Sequence, residues 1–347
     1  MATQIGQIDG QAVYAVTLGA GSAGAGSGPR ARVITYGARL AELWVPDRAG
    51  VLADIVLGHT DAAGYAAGKG YLGATCGRYS NRIAGARFTL DGREVHLDAN
   101  EGAKHLHGGS AGFDRKIWQI AACDDRSVTL TAVSADGEMG YPGHLALQVR
   151  YWLDDADRLW IAMEAETDAP TVVNMVNHSY FNMAGHGSVM GQHLRLGATH
   201  YTPVGPDLIP TGEVLSVAGT AFDFRQLREI GADLPGAAGF DHNLCLTGPL
   251  QPRGAEAMRF CAEAVDPASG RRMEVWTTEP GVQLYTGAHL GDAMGKGGVP
   301  IAPFTGFTLE TQRFPDSPNQ PQFPSARLAP GQRYRHLMAF EFTPAAG

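Results

Sequence analysis

The stretch Arg87-Phe-Thr-Leu-Asp-Gly-Arg-Glu-Val-His-Leu97 reads as a β-hairpin. Apolar and polar residues alternate on both sides of Asp91-Gly92, and an Asp-Gly pair supplies the positive-φ residues that a two-residue hairpin turn requires. The same texture recurs along the chain. Ala12–Leu18, Arg32–Tyr36, Ser127–Val133, Ala146–Leu153, Trp160–Glu166, Met258–Val265, Met273–Thr277 and Phe307–Thr311 are of strand length with period-two character. Asp136-Gly137 and Ser269-Gly270 mark further turns. Helical periodicity is confined to two short stretches, Ala62–Ala67 and Leu227–Ile230. The pattern predicts an all-β protein, with many antiparallel strands in packed sheets.

Composition agrees. The chain has 347 residues, of which 46 are Gly and 20 are Pro, so turn formers are plentiful. With 44% hydrophobic and only 18% charged residues it can bury a large core, which excludes disorder and disfavours a coiled coil. The length suits one large β domain over residues 1–347. The net charge is −8, and no Lys/Arg run offers a stripe for a phosphate backbone, so nucleic acid is not an expected partner. The four cysteines, Cys76, Cys123, Cys245 and Cys261, form no C-x-x-C pair and fit a reducing compartment. Neither a signal peptide nor a membrane-spanning run is visible, so a cytoplasmic location without a membrane partner is expected. Oligomeric state is not legible.

The segment Gly19–Gly28 is rich in glycine, but it ends in Gly28-Pro29-Arg30 rather than Gly-Lys-Ser/Thr, and a strand follows it rather than a helix. It reads as a hairpin loop without phosphate chemistry.

Five other segments combine turn formers with groups that can carry chemistry. Gly77-Arg-Tyr-Ser-Asn-Arg82 offers fixed donors suited to hydroxyl-rich or carboxylate ligands, or to structural ion pairs. In Lys104-His-Leu-His-Gly-Gly109, His105 and His107 share a face if the segment is a strand. That spacing suits a metal, or one ligand-binding histidine and one that caps a turn. In Asn177-His-Ser-Tyr-Phe-Asn182, strand geometry puts His178, Tyr180 and Asn182 on one side, an unusual set for an apolar core. Gly239-Phe-Asp-His-Asn243 is either a turn or a set of acceptors. In Gly306-Phe-Thr-Leu-Glu-Thr-Gln312, Thr308, Glu310 and Gln312 share a face, and Glu310 stands in an otherwise uncharged strand. Histidine and glutamate form a natural pair for proton transfer near neutral pH.

Together these segments resemble the aldose 1-epimerase (galactose mutarotase) family. The resemblance is carried by Gly73–Ile83, His105–Gly109, Asn177–Asn182, Tyr201–Val204, Ile209–Glu213, Asp241–Asn243, Glu279–Tyr285 and Leu309–Gln312, in order and at consistent spacing, within residues 33–343. It implies a large antiparallel β-sandwich of the galactose mutarotase type, no cofactor, no metal, and a small aldose as substrate. The reaction implied is interconversion of the α and β anomers of a free aldose. On the matching positions, His178 is the expected general acid and Glu310 the expected general base. Asn81, Arg82, His107, Tyr180, Asp241 and Gln283 are the expected sugar contacts. His107 is also expected to steady charge on the open-chain oxygen.

The chain departs from the family pattern at Lys104, where asparagine is usual, at Arg313, where histidine is common, and in the length of the Gly19–Gly28 loop. Lys104 and Arg313 either add positive charge near the sugar or are silent. Three other readings compete: an epimerase of phosphorylated hexoses, a sugar sensor without catalysis, and a metalloenzyme using His105, His107, His178 and Glu310.

Overall fold

Residues 145–153 alternate in burial along the strand Leu145–Leu153, with Leu145, Leu147, Val149, Tyr151 and Leu153 facing the core and Ala146 and Arg150 facing solvent. This is the period-two pattern expected of a strand covered on one face. The computed structural model describes residues 1–19, 28–291 and 293–343, so most of the glycine-rich loop lies outside the described residues.

Three antiparallel sheets carry the fold. A five-stranded sheet runs in chain order from Ala2–Ile8 to Leu52–Asp54. A ten-stranded sheet has Leu145–Leu153, Leu159–Thr167, Arg333–Phe342 and Arg272–Thr277 as neighbours near its middle. A six-stranded sheet is ordered Tyr180–Phe181, Phe307–Gln312, Gly281–Tyr285, Asp241–Leu246, Ala198–Thr202, Leu215–Ser216. One apolar cluster joins all three, with Leu40 and Leu43 from the first, Val149, Ile161 and Phe340 from the second, and Leu244, Leu284 and Leu309 from the third. Burying such side chains is the main favourable term for a sheet protein, at about 1.5–3 kcal/mol for each large aliphatic or aromatic residue.

The hairpin is found where the sequence puts it. Arg87–Leu90 pairs with Arg93–His96, and Asp91 and Gly92 both have positive φ, at 49° and 80°. The expected helix Ala62–Ala67 forms, with the Asp61 side chain accepting from the Gly64 N–H at its start. The other helical expectation fails. Arg228–Glu229 is a short strand beside His193–Leu196, and the 3-10 turn Ile230–Ala232 follows it. Four residues carry too little periodicity to separate a helix from an edge strand. Among the described residues, no helix is long and apolar enough to cross a membrane.

Candidate active site

The six-stranded sheet fixes the first part of the site through its register. Gln283 lies directly opposite Glu310 on one side and Asn243 on the other, so three polar side chains form a row across three strands. Tyr180 lies opposite Thr308, and Asp241 opposite Tyr285. The alternation in Phe307–Gln312 explains the division of labour. Phe307 and Leu309 enter the apolar cluster. Thr308, Glu310 and Gln312 share the other face, where the Thr308 hydroxyl donates to Glu310 Oε1 at 2.9 Å and the Gln312 amide donates to Gln283 Oε1 at 3.1 Å. The Gln283 amide in turn donates to Asp241 Oδ1 at 2.6 Å.

The second part comes from short strands next to this sheet. Val176–His178 pairs with Ala74–Cys76 and brings the His178 Nε2 to 3.4 Å from Glu310 Oε1. The rings of His178 and Tyr180 are 5.1 Å apart, as the sequence pattern implies. Asn182 does not join them. The amide of Asn182 donates to the main-chain oxygens of Gly187 and Thr305, and its oxygen accepts from Gln192. The strand ends at Phe181 and the chain turns from Asn182 to Gly185, which breaks the alternation.

The third part is a pair of backbone reversals. Arg82–Ile83 pairs with His105–Leu106, and the residues flanking that ladder, Asn81 and His107, both have positive φ, at 59° and 50°. His107 N–H donates to the Asn81 carbonyl at 3.1 Å, and the Asn81 N–H donates to His107 Nδ1 at 3.2 Å. The left-handed conformation at His107 cancels the strand rule that would place it beside His105. His105 turns away, with Nδ1 on the Asp98 carbonyl and Nε2 on the Tyr141 hydroxyl. His107 packs against His178 with ring centroids 5.1 Å apart. The Gly77–Arg82 segment divides as well. Arg78 is a structural residue, donating to the carbonyls of Pro142 and Gly143 and to Ser134 Oγ. Arg82 faces the site, with Nη1 3.7 Å from Asp241 Oδ2.

All eight expected residues therefore gather at one place. His107, His178, Tyr180, Gln283 and Glu310 are buried and make its floor, and Asp241 lies half-buried at its rim. Two residues were not singled out from the sequence. Tyr71 packs its ring 4.6 Å from His107 and 5.6 Å from His178, at a backbone φ of 59°. Its only sequence signal is an aromatic residue set between Gly70 and Gly73. Glu101 holds Arg82 with two hydrogen bonds, at 2.7 and 2.8 Å, and carries no motif of its own.

Two of the departures, Lys104 and Arg313, are placed by the structure. Lys104 Nζ lies 3.3 Å from Glu101 and donates to the Asp207 carbonyl. Arg313 Nε lies 3.0 Å from the buried carboxylate of Glu279. The Arg313 contact has the distance of an ion pair but poor hydrogen-bond angles, since neither atom has a hydrogen-bond partner. Both cations face carboxylates and add no unmatched charge to the site.

Burial dominates the electrostatics. It raises the Glu310 carboxyl to about 8, with the nearby Asp241 charge pushing the same way and the Thr308 hydrogen bond and Arg82 opposing it. It lowers His178 to about 3. It also holds His107 well below the ordinary imidazole range, helped by repulsion from His178 and Arg82. Glu310 Oε2 and His178 Nδ1 are buried without a hydrogen-bond partner, which costs free energy unless a ligand satisfies them. His107, His178 and Glu310 offer ligand atoms within 4.8 Å of one another, so among the described residues this trio is the set that could hold a metal ion.

The aldose 1-epimerase family model matches residues 22–341 of the chain. Galactose mutarotase from Rattus norvegicus is 44% identical over 318 residues, covering 90% of this chain and 91% of that protein. Aldose 1-epimerase from Escherichia coli is 37% identical over 319 residues, covering 89% and 91%. The solved structure of galactose 1-epimerase from Lactobacillus acidophilus superposes with a TM-score of 0.85 at 28% identity, covering 100% of this chain and 99% of that one. An aldose epimerase homologue from C. elegans superposes at 0.87 with 27% identity, covering 96% and 99%. The expected sandwich fold is thus matched along nearly its whole length, and the chain belongs to the aldose 1-epimerase family.

Proposed function

We infer that this protein is a mutarotase that interconverts the α and β anomers of a free aldose, with His178 and Glu310 as its acid–base pair. The observation that carries this reading is the approach of those two side chains, 3.4 Å apart in a buried site ringed by hydrogen-bonding groups. Mutarotation needs one proton delivered to the ring oxygen and one removed from the C1 hydroxyl. Glu310 takes the C1 hydroxyl proton and His178 donates to the ring oxygen. The ring opens to the aldehyde, the C1–C2 bond rotates, and closure on the other carbonyl face reverses both transfers.

The proton inventory supports this. A raised carboxyl beside a lowered imidazole holds one proton between them near neutral pH, and the pair titrates as a unit. Burial by itself keeps that proton on Glu310. A sugar hydroxyl donating to Glu310 Oε2 stabilises the carboxylate and lets His178 carry the proton, because a hydrogen bond to the charged form lowers a carboxyl pKa. Asp241 accepts from sugar hydroxyls, while Arg82, His107 and Gln283 donate to sugar oxygens. Asn81 and Tyr180 complete the contacts. Gln283 is already oriented for this, since Gln312 holds its oxygen and leaves the amide facing Asp241.

A neutral aldose fits the charge balance better than a phosphorylated one. Arg82 and Lys104 share Glu101, and Arg313 faces Glu279, so none of these three cations lacks a counter-charge. The names of the curated relatives make D-galactose the first substrate to try. Polarimetry with freshly dissolved α-D-galactose, α-D-glucose and glucose 6-phosphate tests the reading. Faster equilibration of the free sugars than in buffer supports it, and a strong preference for the phosphate ester contradicts it.

A further inference from the structure

The carboxylate of Glu101 grips Arg82 through Nε at 2.7 Å and Nη2 at 2.8 Å, which occupies one edge of the guanidinium. Nη1 is left on the site side, where Asp241 Oδ2 is 3.7 Å away. The Arg82 side chain is only 10% exposed and that of Glu101 31%. This geometry differs from an ordinary surface ion pair, which contributes little because two long side chains must be immobilised. A planar, two-bond pair fixes the guanidinium in both position and rotation.

The chain around Glu101 is itself held. Glu101 and Lys104 exchange both main-chain hydrogen bonds at 3.1 Å across Gly102 and Ala103, with Gly102 at a φ of 62°. Lys104 adds a second tie, with its ammonium 3.3 Å from the same carboxylate and donating to the Asp207 carbonyl of the facing loop. A short turn therefore presents Glu101 to Arg82 from outside the sugar-contacting row. Partial burial works against the ionised carboxylate, yet the hydrogen bonds and charge of Arg82 keep it below the usual range.

We propose that Glu101 is a positioning residue for the reaction, acting through Arg82 by locking the guanidinium so that Nη1 faces the sugar. The inference rests on the reading of Arg82 as a sugar contact. Without Glu101 the arginine keeps its charge but loses its fixed direction, and its rotamers must be frozen when substrate binds.

The test measures kcat and KM for D-galactose in wild type, Glu101→Ala, Glu101→Gln, Arg82→Ala and the double variant Glu101→Ala/Arg82→Ala, with thermal unfolding of each to establish that it is folded. Glu101→Ala should raise KM by about tenfold while changing kcat much less, consistent with losing one charge-assisted positioning contact. Glu101→Gln keeps one acceptor and should fall between wild type and Glu101→Ala. In the Arg82→Ala background, Glu101→Ala should cost nothing more, because its route of action is gone. A Glu101→Ala variant with wild-type KM beside an impaired Arg82→Ala overturns the inference alone. Equal losses in both backgrounds overturn it too. If Arg82→Ala leaves KM unchanged, the sugar-contact reading of Arg82 falls and the inference falls with it.

Discussion

His178 Nε2 lies 3.4 Å from Glu310 Oε1, and both side chains are almost completely buried. They reach each other from different places in the chain. Glu310 stands in the six-stranded sheet, while His178 ends a short strand paired with Ala74–Cys76. The pairing brings together one group whose proton is held too tightly by burial and one whose proton is held too weakly. On the proposed reading, a sugar bound against both groups redistributes that proton.

Glu310→Gln and His178→Asn should each lower kcat by about 10²–10⁴-fold, the usual contribution of a positioned acid or base. Because both act on the same proton inventory, the double variant should be little worse than the poorer single one. Progress curves by polarimetry, with thermal unfolding to establish folding, check this. Losses that simply add would mean that the two groups work independently.

The pH dependence of kcat/KM follows from the raised carboxyl. The free enzyme keeps the shared proton until the pH passes about 8, and then loses it. Activity should therefore fall on the alkaline side of that value. On the acid side no limb is expected near the ordinary imidazole value of 6.5, because His178 takes up a second proton only near 3. A pH–rate profile that rises through 6.5 with a single ordinary histidine would count against the coupling.

Thr308 donates to Glu310 Oε1 at 2.9 Å and is fully buried. Its hydrogen bond favours the carboxylate, so Thr308→Val should raise the Glu310 pKa further and move the alkaline limb upward. Turnover should fall by about tenfold, roughly the worth of one hydrogen bond to a charged group. Thr308→Ser, which keeps the hydroxyl, should restore both. The measurement is the pH–rate profile of the two variants side by side.

Stability carries the same signature with a definite sign. Glu310 holds a proton in the folded protein that the unfolded chain releases as pH rises from 4.5 to about 8, so its contribution to stability falls through that window. Glu310→Gln removes this term, while the raised carboxyl of Glu279 is present in both proteins. The melting temperature of Glu310→Gln relative to wild type should therefore rise between about pH 5 and about pH 9. Calorimetry at the two pH values checks it, and a constant difference would show that Glu310 is not desolvated as described.

The trio His107, His178 and Glu310 gives a metal reading a concrete form. If proton transfer between the two carries the reaction, protein stripped of metal with a chelator and checked by elemental analysis should keep its activity. Loss of activity on stripping, restored by a divalent ion, would transfer the catalytic role to a bound metal.

Much of this was legible in the sequence because it is local. The Asp91-Gly92 hairpin, the inward row of Leu145–Leu153, and the shared face of Thr308, Glu310 and Gln312 all follow from a period of two and the chemistry of turns. Period-two reasoning failed where the backbone leaves the strand region. His107 has a φ of 50°, which separates it from His105, and the turn after Phe181 takes Asn182 away from His178. Glu101 and Tyr71 could not be read from spacing at all. Their roles arise from tertiary contacts, with Arg82 in one case and with the two imidazoles in the other.

The most direct test of the central claim is the optical rotation of fresh α-D-galactose with wild-type protein and with Glu310→Gln. Equilibration much faster than in buffer with wild type, and close to the buffer rate with folded Glu310→Gln, is the predicted result. Wild-type protein that equilibrates no aldose faster than buffer, or a folded Glu310→Gln variant as active as wild type, would contradict it.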